Sequence, residues 1–320
     1  MIKQLKEEYY NKTKTRLEFG NQLFEAEKGL FDYTWLMENN PCREICITEK
    51  GVYADFERGG GSANGVKMWL DQTDFSAVPT QILLKGFYEK DETNMAMKLI
   101  SYLGSKAVVF DVGANLGWYG INIKKQMPES TVYFFEPIPE TANRLQENLA
   151  LNDIKDCCVI NTGLFNNNED TKIYYDITES GASSLADLRE KPTTRHISCK
   201  MQRMDDFVEA NGVSALDFIK CDVEGTELFV YEGGKKTIAL YNPIIMSEML
   251  RKWARKFNYH PNDIIDFLGE LGYQCFVIVE GTLGLKKFDR VTEETVETNY
   301  YFLHMDKHAH IIQQLCNSHN

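Results

Sequence analysis

From about residue 107 onward, short and wholly apolar runs alternate with stretches of helical spacing. Residues 107–110, 131–135 and the run around Val159 and Ile160 read as buried strands. Helices are expected at 117–126 and at 140–151, the second entered through Pro139. A further helix over 89–103, stopped by Gly104, precedes them. Continuous apolar strands alternating with helices indicate a parallel sheet covered on both faces. An interruption follows, with added strands at 172–175 and 197–203 around a loop that carries Gly181, Ser183 and Ser184. The alternation then resumes. Strands are expected at 216–221, 244–247, 273–279 and 300–304, and helices at 226–239 and 261–271.

The first 85 residues have a different texture. Residues 1–40 are loosely helical, with Leu5, Tyr9, Leu17, Leu23, Phe24, Leu30 and Phe31 among alternating charges. Ile45 and Ile47, then Val52, Ala54 and Phe56, alternate on either side of Glu49-Lys50-Gly51, a hairpin pattern. Gly59-Gly60-Gly61-Ser62 lacks the Gly-Lys-Ser/Thr of a phosphate loop and reads as a flexible turn. The division expected is an N-terminal extension over 1–85 and one α/β domain over 86–320.

Three segments carry chemistry. Asp111-Val112-Gly113-Ala114-Asn115-Leu116-Gly117 follows the first strand and opens a helix, where an open parallel sheet binds its ligand. Gly113 permits close backbone approach, and Asp111 at the mouth of the turn would repel a phosphate and attract an ammonium group. That favours S-adenosylmethionine over a dinucleotide. Tyr133-Phe134-Phe135-Glu136-Pro137 ends the next strand with an acid 25 residues beyond Asp111, suited to both hydroxyls of a ribose. Phe218-Ile219-Lys220-Cys221-Asp222-Val223-Glu224-Gly225-Thr226-Glu227 places Asp222 and Glu224 at the end of a later strand, a costly place for two acids. Glu227 reads as a first-turn helix cap.

Together these segments resemble the FkbM family of methyltransferases. Gly86-Phe87-Tyr88-Glu89, the Gly181-x-Ser183-Ser184-Leu185 stretch and Met204-Asp205-Asp206-Phe207 are similar to its intervening segments, so the likeness spans about 86–280. It implies a Rossmann-like, mostly parallel sheet of seven strands with an antiparallel last hairpin, and S-adenosyl-L-methionine as donor. It assigns the donor to Asp111, Gly113, Ala114, Asn115, Glu136, Pro137, Gly163, Leu164 and Asp222. The acceptor it implies is a hydroxyl of a sugar, glycan or natural product, with Ser183 and Ser184 beside it. Cys221 stands where the family has an aliphatic residue.

A hydroxyl acceptor needs a base, and Glu224 and Glu248 are the candidates, with Asp222 shared between donor and acceptor. The same three acids are the set that would hold Mg²⁺; a plain base is preferred and no metal ligand is assigned. Trp253 offers a flat face to a sugar ring, and its neighbours Arg251, Lys252, Arg255 and Lys256 would suit an anionic acceptor. His260 is a second-rank base in the same wall, beside Tyr259. His304, His308 and His310 read as a frayed surface rather than a metal site. The rival readings are a nicotinamide-dependent oxidoreductase, against which Asn115 and the Asp-Val-Glu-Gly segment stand, and a binding module without turnover.

Composition narrows the field further. At 320 residues with 43% hydrophobic and 26% charged content, the chain can bury a large core. A formal charge of −12 argues against a nucleic-acid backbone as partner. No apolar run reaches membrane-spanning length, and the start, Met1-Ile2-Lys3-Gln4-Leu5-Lys6-Glu7-Glu8, turns acidic where a leader would turn apolar. Eight scattered cysteines without a Cys-x-x-Cys pair fit reduced thiols, hence a cytoplasmic expectation.

Overall fold

A computed structural model describes residues 2–38, 40–56, 65–176, 178–187 and 194–316. The glycine run at 59–62 lies outside them. Helices α1 (Ile2–Tyr10) and α2 (Arg16–Met37) lead into strands β1 (Cys42–Ile47), β2 (Val52–Phe56) and β3 (Val66–Trp69), then α3 (Val78–Lys85) and α4 (Lys90–Ile100). The first α/β units follow as β4 (Val108–Val112), α5 (Trp118–Gln126), β5 (Thr131–Phe135), α6 (Pro139–Leu151) and β6 (Cys157–Ile160). The interruption holds β7 (Gly163–Leu164), β8 (Thr171–Asp176), β9 (Glu179–Ser184), β10 (Thr194–Cys199), β11 (Met201–Gln202) and α7 (Met204–Ala210). The remainder is β12 (Phe218–Cys221), α8 (Glu227–Gly233), α9 (Lys235–Tyr241), β13 (Ile244–Glu248), α10 (Arg251–Ala254), α11 (Pro261–Glu270), β14 (Tyr273–Ile278), β15 (Leu285–Lys287), β16 (Asn299–His304) and α12 (Ala309–Cys316).

The central sheet runs β15-β14-β16-β13-β12-β4-β5-β6. Strands β6, β5, β4, β12 and β13 are parallel neighbours. Strand β16 inserts antiparallel between β13 and β14. This is the expected mostly parallel sheet of seven strands with an antiparallel last hairpin, and the short β15 adds antiparallel at the edge of β14. Alternate residues of each central strand enter two cores. Val109, Val132, Phe134 and Phe218 face one, and Phe110, Phe135, Ile219 and Cys221 face the other.

The first core also takes in Ala54, Phe56, Val66, Met68, Val78 and Ile82, packed with Trp118, Ile121, Leu145 and Leu149. The hydrophobic interior therefore continues across residue 85. The hairpin at 42–56 forms as its alternation predicts and gains β3, which is too short to announce itself.

Two expectations change. The helix at 226–239 is broken into α8 and α9, because Gly233 and Gly234 lie against neighbouring chain. A Cβ on Gly233 would stand 2.0 Å from the carbonyl oxygen of Phe165. Of the three C-terminal histidines His310 is exposed as expected, but the segment is not frayed: α12 docks through Ile311 and Leu315, and His308 is 2% exposed. Its Nδ1 accepts from the His304 amide at 3.0 Å, and burial pushes its pKa down to about 3. Among the described residues no helix is long and apolar enough to cross a membrane.

Candidate active site

The chain adds β5 and β6 on one side of β4, then returns to place β12 and β13 on the other. The reversal opens a crevice at the carboxyl ends of β4 and β12, where such sheets bind ligands. A cavity lies there. Gly113, Ala114, Asn115, Glu136, Pro137, Gly163, Leu164, Ser183, Ser184, Asp222 and Glu224 all line it. The antiparallel sheet β10-β8-β9 covers it, lending Ile173 and Gly181 to the wall.

The β4–α5 turn is built on three left-handed residues, Gly113 (φ 75), Asn115 (φ 47) and Gly117 (φ 90). A Cβ at Gly113 would sit 1.9 Å from the backbone oxygen of Asp222, so only glycine lets the turn rest on β12. The amides of Gly113 and Ala114 both donate to the Phe135 carbonyl at 3.0 Å. Glu136 completes the turn from the next strand. Its Oε2 accepts from the Asn115 amide at 3.0 Å and its Oε1 from the Ile138 amide at 2.9 Å.

Those two bonds fix the carboxylate plane and leave further lone pairs on both oxygens for an incoming pair of hydroxyls. Burial pushes the Glu136 pKa up to about 7, with the two amides pulling the other way. The Asn115 side-chain oxygen is buried without a partner at the same wall, as an acceptor awaiting a donor. Asp111 is placed differently from its expected position at the mouth. It lies within β4, 1% exposed and behind the cavity wall, its Oδ2 accepting from the Gly120 amide at 3.0 Å. Its Oδ1 is buried without a hydrogen-bond partner.

Asp222 and Glu224 make the far end of the cavity acidic, with Glu248 beside them but outside its lining. Asp222, Glu224 and Glu248 each offer a carboxylate oxygen, and these lie within 4.8 Å of one another. Lys220, 6% exposed, donates to Asp222 Oδ2 at 3.2 Å and to the Gly113 carbonyl at 3.1 Å. Burial opposes its charge, but Asp222, Asp111 and Glu89 outweigh this and hold its pKa above the ordinary lysine value. Glu248 is held well above the usual carboxylate range, by desolvation first and by Asp222 and Glu224 next. Glu224 adopts a left-handed backbone (φ 53), and its carbonyl accepts from the Ser184 hydroxyl at 2.8 Å. Ser184 thus secures the acidic loop from the covering sheet.

Two expected wall residues are spent elsewhere. His260 is the N-cap of α11: its Nδ1 accepts from the Asn262 amide, its own amide donates to Asp263, and it does not line the cavity. Trp253 also stays off the cavity lining. It packs by its Cβ against the spot where Gly225 lacks one, with the Lys252 ammonium 4.2 Å from its ring. Arg251 is tied to the Thr292 and Thr295 carbonyls. Glu227 does more than cap a helix: its Oε1 accepts from the Val223 and Gly225 amides and its Oε2 from the Tyr259 hydroxyl.

Sequence reasoning missed Lys220, Glu89, Tyr88 and Tyr119. Tyr88 and Tyr119 line the cavity, and the Tyr119 hydroxyl donates to Glu89 at 2.6 Å. A lysine inside the otherwise apolar run Phe218-Ile219-Lys220-Cys221 was the available signal, since a buried cation requires anions around it.

The profile of the methyltransferase FkbM domain matches residues 111–275, just over half of the chain. The chain belongs to the FkbM methyltransferase family. Among curated relatives, methyltransferase sdnD of Sordaria araneosa is 26% identical over 163 residues, covering 42% of this chain and 62% of that protein. The 2-O-methyltransferase NoeI of Sinorhizobium fredii is 29% identical over 143 residues, covering 41% of this chain and 58% of NoeI. The chain thus spans about three fifths of these relatives' own length. Among solved structures, a methyltransferase FkbM from Methylobacillus flagellatus aligns at 16% identity with a TM-score of 0.41, covering 73% of this chain and 55% of that one. A methyltransferase from Streptococcus mutans, solved in complex with SAH, aligns at 9% identity with a TM-score of 0.38, covering 66% and 96%.

Proposed function

We propose that this FkbM-family chain is an S-adenosylmethionine-dependent O-methyltransferase whose acceptor is a hydroxyl of a sugar, glycan or natural product. The observation that carries the reading is Glu136, a buried carboxylate at the cavity wall with both oxygens oriented by backbone amides. Charge supports it. Among the described residues lining the cavity the one Lys or Arg is Lys220, already engaged by Asp222 and Gly113, so a pyrophosphate would meet acids without a counter-cation. An ammonium-bearing nucleoside meets the opposite situation. Its ribose is assigned to Glu136, and a hydrogen-bond donor on it to the vacant Asn115 oxygen. The name of NoeI as a 2-O-methyltransferase supports oxygen as the atom modified.

The donor would supply an activated methyl group, and the chain's residues must align the acceptor and take its proton. Glu248 is assigned as the base, since its environment raises its proton affinity toward that of a useful acceptor of protons. Positive charge entering the cavity favours its ionised form, which readies it. Lys220 fixes Asp222, and Ser184 fixes the loop that carries Glu224. A plain base is preferred to Mg²⁺ because the Lys220 ammonium already stands against Asp222, and a divalent cation on that carboxylate would be repelled. The convergence of three acids also favours turnover over a silent binding module.

The test is a thermal shift with S-adenosylhomocysteine and with NAD, backed by calorimetry across pH. S-adenosylhomocysteine is expected to raise the melting temperature and NAD to leave it unchanged. Ribose hydroxyls donate to the ionised form of Glu136. With its pKa near 7, affinity should rise by about tenfold between pH 6 and 8 and then level off. A shift with NAD alone would replace the donor reading with the oxidoreductase one. Affinity that falls across that pH range would remove Glu136 from the ribose.

A further inference from the structure

The strongest unassigned feature outside the acidic cluster is a pair of buried asparagines, Asn148 on α6 (1% exposed) and Asn152 at its C-cap (5% exposed). They stand one helical turn apart, so both side chains leave the same face. That face meets β3, the edge strand of the N-terminal sheet β1-β2-β3. An edge strand presents unpaired backbone groups, which must find partners when covered. The two asparagines supply them. Asn152 accepts from the Lys67 amide at 2.9 Å and donates to the Lys67 carbonyl at 2.6 Å. Asn148 accepts from the Trp69 amide at 3.0 Å.

The second arm of Asn148 goes elsewhere. Its Nδ2 donates to the carbonyl of Leu116 at 3.0 Å. Leu116 sits in the left-handed turn between Asn115 and Gly117, the turn whose amide holds Glu136. One buried amide therefore links β3, which lies ahead of the family-matched region 111–275, to the turn that lines the donor cavity. The same N-terminal segment also places Val78 on the cavity wall. A left-handed backbone is costly for a non-glycine such as Asn115, and a turn with three such residues persists only where its surroundings over-determine it.

We propose that Asn148 is a positioning residue for the donor, and that residues 66–69 brace the donor-binding turn through it. This deepens the donor reading above and rests on it. Asn148 touches no ligand; it acts by holding the Leu116 carbonyl, and through it the Asn115 amide and Glu136.

Asn152 is a matched control, since it binds the same strand with no arm to the turn. In Asn148→Asp the Trp69 amide keeps its acceptor while the Leu116 carbonyl loses its donor. In Asn152→Asp the Lys67 amide keeps its acceptor while the Lys67 carbonyl loses its donor, and the Asn148 carbonyl loses the Asn152 side chain but keeps the Asn152 backbone amide. Both variants of the full chain are expected to melt at similarly lowered temperatures. Calorimetry should then show the S-adenosylhomocysteine Kd raised about tenfold or more in Asn148→Asp and within about twofold of the parent in Asn152→Asp. Equal Kd changes in the two, or none in either, overturn the proposal.

Should Asn148→Asp fail to fold, hydrogen exchange on the unaltered protein decides. S-adenosylhomocysteine should slow exchange of the Trp69 amide more than that of the Lys67 amide, and equal slowing overturns the proposal. An unaltered protein that does not bind S-adenosylhomocysteine sinks the donor reading itself. Binding without the Asn148 signature sinks only this inference.

Discussion

Replacing Glu136 by alanine should weaken S-adenosylhomocysteine binding by about two orders of magnitude or more. Hydrogen bonds to a charged group contribute about 1.5–3 kcal/mol each, and two ribose hydroxyls are assigned to this carboxylate. Each 1.4 kcal/mol is tenfold in Kd. The variant also frees the Asn115 and Ile138 amides, so part of the loss comes from a loosened turn. Glu136→Gln separates the two contributions, because its amide oxygen still accepts one backbone bond. It should fall between parent and alanine, and its affinity should lose the rise between pH 6 and 8. Calorimetry that finds the alanine variant within a factor of two of the parent would remove the ribose assignment.

The second large effect belongs to the acidic end. Glu248→Gln keeps the size of the side chain and removes its ability to take a proton, so kcat should drop by about 10²- to 10⁴-fold. The S-adenosylhomocysteine Kd should stay within about threefold, since Glu248 is not among the residues lining the donor cavity. Glu224→Gln is the parallel test, and full turnover in both variants would mean that neither carboxylate is the base. A chelator adds the remaining arm. Turnover that survives chelation agrees with the Lys220–Asp222 pair taking the place of a cation. Turnover lost to chelation and restored by Mg²⁺ would reassign Asp222, Glu224 and Glu248 as ligands.

Much of the β4–α5 turn and its carboxylate was legible because local chemistry decides it. A buried strand that ends in Asp-Val-Gly-Ala-Asn-Leu-Gly must turn through left-handed residues, and Gly113, Asn115 and Gly117 do so. An acid that closes the next strand must lie beside that turn, and Glu136 does. The acceptor half was less legible. Trp253 and His260 look suited to a sugar ring and a proton, but packing against Gly225 and capping α11 are decided by neighbours distant in sequence. Asp111 stands on the strand expected, but buried within it rather than at the mouth of the turn. The burial of its carboxylate depends on α5, whose Gly120 amide it accepts from. Strand β3 escaped notice because four residues give too little alternation to register, and α12 because three nearby histidines suggested an exposed tail.

The shared interior of the N-terminal segment and the α/β sheet has a thermodynamic consequence. Phe56, Met68 and Ile82 are buried in one cluster with Trp118, Ile121 and Leu149, so the N-terminal segment owns no core apart from the sheet's. Residues 42–316 should then melt in one cooperative step, with calorimetric and van't Hoff enthalpies in agreement, where two separable modules would give two. The unit that folds is thus larger than the stretch by which the family is recognised, and a substitution near Phe56 reaches catalysis by way of stability.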